Sequence, residues 1–134
     1  MLALATGLAA YPRLPDAPLH GSARSETCGG SLAIDVQMVN GAIASVGLMV
    51  QACAVGQASA ALFAGWVIGK SAADAASART SVVDWLAGDA PVPSAPDLSA
   101  IAIARDYHAR HGAILLPWKA LGNALPDALP DARI

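Results

Sequence analysis

Cys28, Cys53, His20, His108 and His111 are the side chains of this sequence best suited to bind a metal or act through sulfur. The two cysteines are far apart in the chain, and in a reducing compartment such a pair is more often buried, metal-binding or catalytic than joined as a disulfide. On residue type alone, two small half-buried hydrophobes are an equally good reading. No nucleophile, base and acid stand in a recognisable set, and Gly29-Gly30 is too short to form a phosphate-binding loop. The residues therefore point away from an enzyme and toward a protein that carries or holds something.

The elements that must position these side chains can be read from periodicity. Residues 1–10 form a short helix or lead-in, and Pro12, Pro15 and Pro18 deny both helix and central strand to the stretch that follows, which includes His20. Leu32, Ile34, Val36 and Met38 then alternate with Ser31, Ala33, Asp35 and Gln37, the period of a half-buried strand. Asn40-Gly41 suits a tight hairpin turn, and Ala42 to Val50 returns as a second strand. From Ala54 the spacing of Ala58, Leu62 and Trp66, with Phe63 and Val67 beside them, predicts a helix up to Gly69. Ser71 and Asp74 resemble a capping pair for a further helix through Val82 and Trp85 to Gly88. Pro91, Pro93 and Pro96 mark a loop, Asp97-Leu98-Ser99 can open a short helix, and Ile114 to Leu125 predicts a last helix with Pro117 in its first turn. Residues after Pro126 read as frayed. Strands early and helices late make an α+β domain, with helices on one face of a small antiparallel β-sheet. Leu32, Ile34, Val36 and Met38 should face a helical layer containing Leu62, Phe63 or Trp66.

Size and composition set limits on function. At 134 residues the chain suits one domain spanning 1–134, and 55% hydrophobic against 13% charged residues excludes a disordered tail. A formal net charge of -2 offers no footprint for nucleic acid. No charged residue lies between Asp35 and Lys70, a run long enough to span a bilayer, so a membrane protein built around residues 42–69 is a minor alternative. Asn40-Gly41, Gly47, Ser45, Gln51, Gln57 and Ser59 interrupt that run and argue against a membrane role. Met1 to Tyr11 has no Lys or Arg ahead of its apolar stretch, as a secretory signal would, so the expected compartment is the cytoplasm.

The order of features resembles one family. Cys28-Gly29 ahead of the hairpin, Ala52-Cys53 at its exit, then Ala58-Ser59 and a helix ending Trp66-Val67-Ile68-Gly69-Lys70-Ser71 resemble the IscU/SufU/NifU N-terminal type of iron–sulfur cluster assembly scaffold. Asp97-Leu98 through Ala109-Arg110-His111-Gly112-Ala113, followed by Leu116-Pro117-Trp118-Lys119-Ala120-Leu121, is similar to the SufU-type C-terminal segment. The spacing after Cys53 also suits SufU types, which carry an insertion between their second and third cysteines. The resemblance implies a scaffold or sulfur acceptor that works with a pyridoxal-phosphate cysteine desulfurase and passes its cargo to iron–sulfur acceptor proteins. It implies a transient iron–sulfur cluster, or zinc, at Cys28 and Cys53, with Cys53 as the persulfide acceptor.

Three positions depart from the family pattern. Gly30 stands where the family reads Cys-Gly-Asp, Ala113 where it has its third cysteine, and Gly112 where it has histidine or lysine. Zinc and iron–sulfur clusters take about four ligands, mostly thiolate, so two cysteines make a weak site. His111 is the best substitute if residues 110–113 are extended, because it then shares a face with Ala113. Cys53 has a role that needs no cluster: a helix starting just after it favours a thiolate, which can accept sulfur. The alternative is a degenerate member that keeps the fold and acts as a metal-free protein-interaction module.

Overall fold

The computed structural model describes residues 6–27 and 29–126. Three antiparallel strands, β1 (Leu19–Arg24), β2 (Ser31–Val39) and β3 (Ala42–Gln51), form a sheet in the order β1-β2-β3. Three α-helices follow, α1 (Ala54–Val67), α2 (Ala72–Ala87) and α3 (His111–Ala124), with 3-10 turns at Gly7–Ala10, Ser99–Asp106 and His108–Arg110. This is the α+β architecture expected from the sequence.

The hairpin forms where Asn40-Gly41 predicted it. Both residues have positive φ, 53° and 82°, which matches the twist of the strands they join. Leu32, Ile34 and Val36 are buried in one core with Phe63, and Met38, Leu62 and Trp66 pack against its margin. α3 lies over β1 and β2, while α1 packs beside it against β3. Trp118 of α3 meets Phe63 edge-on at 5.0 Å between ring centroids, and Ser59 Oγ donates to Ile114 O at 2.7 Å, so a ring contact and a buried hydrogen bond lock the two helices together. Ser71 and Asp74 form the predicted reciprocal cap of α2.

Residues 42–69 form the expected strand followed by a helix instead of one apolar span, and no helix among the described residues is long and apolar enough to cross a membrane. Two expectations are corrected. His20 lies in β1, not in a proline-rich lead-in. Beyond Leu19 that strand carries no long apolar residue to signal it, because α3 approaches so closely that a Cβ on Gly21 would fall 2.5 Å from Ala124 N. The last helix begins at His111 instead of Ile114, so Pro117 lies in its second turn, and Ala113 O loses the N–H that residue 117 would otherwise donate.

Asp35 has the outward orientation that the alternation gave it, yet its side chain is fully buried. Gly47, its partner on β3, has no side chain, and a Cβ there would lie 2.5 Å from Pro12 O. The lead-in therefore lies directly on the outer face of the sheet. Arg13 grips both carboxylate oxygens of Asp35 at 2.7 and 2.8 Å, Leu14 N–H donates to Oδ2 at 2.8 Å, and His20 Nδ1 lies 2.6 Å from Oδ1. These bonds hold the Asp35 carboxyl well below its usual range, chiefly through Arg13 and against the opposing effect of burial.

Candidate functional site

The site is built where β2 begins, β3 ends and α1 starts. Ser31 pairs with Gln51 at this end of the hairpin, and α1 opens immediately after Cys53, its N-cap residue. Cys53 is a free, partly exposed thiol, and no side-chain hydrogen bond caps the helix from it. Just below it, Gln57 Nε2 donates to Ala52 O at 2.9 Å and Gln57 N–H to Cys53 O at 2.9 Å, which fixes the backbone on both sides of the thiol. The 25–30 loop is closed by Ser25 N–H to Gly30 O at 2.8 Å and Gly29 N–H to Ser25 O at 2.9 Å. Gly29 has φ 72°, a left-handed conformation that glycine adopts without strain. Cys28 lies outside the described residues, and so does the expected proximity of its thiol to Cys53.

The other ligand-type positions do converge. A Cβ on buried Gly30 would lie 3.3 Å from Ala52 Cβ and 3.4 Å from Leu116 Cδ1 of α3. In the first turn of α1, a Cβ on Gly56 would come 2.7 Å from Ala52 Cβ and 3.4 Å from Ala113 Cβ. Gly30 and Ala113 thus close around the segment that carries Cys53, one from the β2 side and one from α3. Neither offers a donor atom to a metal. Among the described residues, no group of three or more His, Cys, Asp or Glu side chains could hold a metal ion.

His111 does not occupy the geometry that favoured it. Residues 110–113 are helical, not extended, because the His108–Arg110 turn runs straight into α3. Two residues along a helix differ by about 200° in direction, so His111 and Ala113 do not share a face. His111 Nε2 instead bonds Arg105 O at 2.6 Å, and its ring lies 4.6 Å from that of His108. Sequence reasoning missed this pairing of the two histidines and the placement of Ser25 and Thr27 against Gly112. Only the local i, i+3 spacing of His108 and His111 could have signalled the first, and nothing local signals the second.

Comparison with solved structures places the fold. The chain resembles the crystal structure of a nitrogen-fixing NifU-like protein (N-terminal) from Brucella abortus, with 27% identity, a TM-score of 0.86 and coverage of 98% of this chain and 92% of that one. It also resembles a putative iron–sulfur cluster assembly scaffold protein for the SUF system from Fervidobacterium islandicum AW-1, with 21% identity, a TM-score of 0.81 and 92% coverage of both chains. A structure described as a hypothetical protein matches at 20% identity with a TM-score of 0.75, covering 97% of this chain and 96% of that one. No protein-family profile and no curated protein sequence matches the chain.

Proposed function

We propose that this chain, which belongs to the IscU/SufU/NifU N-terminal family, is a single-domain sulfur acceptor in iron–sulfur cluster assembly, with Cys53 as the acceptor atom's owner and a cysteine desulfurase as the donor. The observation that carries this reading is the position of Cys53: a partly exposed thiol at the start of α1, in a segment that Gly30 approaches at Ala52 and Ala113 at Gly56. The Cys53 thiolate attacks the outer sulfur of a persulfide on the donor. A new S–S bond forms at Cys53, the donor's S–S bond breaks, and the donor cysteine leaves as a thiolate. One sulfur moves with no net change in oxidation level.

Cargo is assembled on this scaffold with help from outside the chain. Cys28 and Cys53 supply two of about four ligands for an iron–sulfur cluster or zinc. The rest come from a partner protein, an external thiol, a second chain, or His111 after its ring leaves Arg105 O. The acceptor role belongs in the cytoplasm, where thiols stay reduced, and the cluster passes from there to iron–sulfur acceptor proteins. Gly30 and Ala113 also support a second reading, a family member that docks with partners and holds no metal.

Anaerobic reconstitution with iron and sulfide separates the two, with iron, zinc and acid-labile sulfide measured per chain. The scaffold reading expects little metal on the chain alone and retention when the desulfurase or a small thiol is present. The His111→Ala chain should behave like the native one if the histidine stays on Arg105 O. A chain that holds no metal or sulfide under any of these conditions, yet still binds the desulfurase, is an interaction module. A monomer that retains a full cluster unaided and keeps it when Cys28 is replaced by Ala contradicts the ligand assignment.

A further inference from the structure

A cationic cleft of about 320 Å³ opens between the end of β1 and α3, next to the ligand-type positions. Arg24, Lys119, His108 and His111 line it together with Ser25 and Thr27. Most other described cations are already engaged. Arg13 holds Asp35, Arg105 bonds Trp85 O and pairs with Asp106, and Lys70 lies over the Trp66 ring. Arg24 and Lys119 are exposed and have no carboxylate or carbonyl partner among the described residues. Both also border a second hollow of about 500 Å³ on the open end of the sheet's outer face.

The wall of the cleft facing these cations is polar and built in. Ser25 is only 4% exposed, and its Oγ has one side-chain partner, Thr27 Oγ1, at the long distance of 3.3 Å. Thr27 Oγ1 in turn donates to Ala109 O at 3.2 Å, which ties the loop to the turn before α3. Gly112 keeps this wall open, since a Cβ there would collide with Ser25 Oγ and come 3.1 Å from Thr27 Oγ1. Glu26 also lines the cleft, and its carboxylate works against ligands that carry many negative charges.

We propose that this cleft binds a small oxyanion, namely phosphate or the phosphate group of a small ester. Arg24 and Lys119 supply the charge, and the Arg24 fork can pair with two oxygens of the anion. The proposal goes beyond sulfur transfer and does not depend on it.

The test is titration of the full chain with inorganic phosphate, and separately with methyl phosphate, at constant ionic strength, followed by amide NMR. Saturable shifts at Ser25, Thr27 and Gly112 are expected with at least one of the two anions, and the tighter one identifies the source as free phosphate or ester. Arg24→Gln and Lys119→Gln should each raise Kd about tenfold, the loss of one charge-assisted contact, while Lys70→Gln leaves it unchanged. Absence of saturable shifts at these amides with both anions overturns the proposal, as does a Kd indifferent to both cleft substitutions. Neither iron, sulfide nor desulfurase enters the test, so its failure leaves the sulfur reading standing.

Discussion

Replacing Gly30 by Asp and Ala113 by Cys together is expected to convert a chain that loses zinc on dialysis into one that retains about one ion per chain. Both positions already face the segment carrying Cys53, so the added carboxylate and thiolate enter a site whose backbone is in place. The fit is tight but tolerable at position 30. A Cβ there lies 3.3 Å from Ala52 Cβ and from Gln51 O, so the neighbours must give by tenths of an ångström. Ala113 is fully buried with its Cβ toward Gly56, which leaves the new sulfur little choice but to turn toward the site or strain the α1–α3 contact. Zinc affinity should rise by on the order of a hundredfold or more, because going from two ligands to four turns a chelate into a closed shell. Zinc titration in competition with a chelator measures it, with thermal unfolding of the metal-free forms as a check on folding. Equal zinc retention by the native and doubly substituted chains would show that Gly30 and Ala113 are not at the ligand positions.

Asp35→Ala should cost about 2–4 kcal/mol in urea unfolding, the second large effect, because it leaves Leu14 N–H and the Arg13 guanidinium without their acceptor. Arg13 is 41% exposed and can recover water, which favours the lower end of that range. The sign of the pH dependence follows from the depressed carboxyl. Its contribution is fully present above the unfolded value of about 3.9 and drains away as pH falls below it, since the unfolded state then binds the proton first. The native chain should therefore lose stability faster than Asp35→Asn between about pH 4 and pH 2, and the two curves should converge in acid. Parallel curves over that window would mean that Asp35 is not held ionised by the lead-in.

The parts of the fold that were legible in the sequence are those governed by local pattern. Alternation at Leu32 to Val36, the Asn40-Gly41 turn, and the Ser71/Asp74 cap each act within a few residues, and each appears in the structure as read. β1 was not legible because Gly21 and Ala23 are small to admit α3, and Leu19 alone makes no visible period. The burial of Asp35 depends on Arg13, a residue 22 positions away, and no local rule foretells such a partner. At the site, the convergence of Gly30, Ala113 and the Cys53 segment follows the order of features that carried the family resemblance. The condition that favoured His111, an extended backbone over residues 110–113, is not met: Thr27 Oγ1 anchors Ala109 O and a 3-10 turn feeds the helix directly. The charge of the cleft was hidden as well, since Arg24 and Lys119 are 95 positions apart and a net charge of -2 suggests no anion site.

The central claim, that Cys53 receives sulfur, is tested most directly by intact-protein and peptide mass spectrometry after anaerobic incubation with a cysteine desulfurase and free cysteine. The account predicts one added sulfur per chain, located on the peptide containing Cys53, absent from Cys53→Ser and retained in Cys28→Ser. Sulfur found on Cys28 alone, or persulfide formation unchanged in Cys53→Ser, would contradict it.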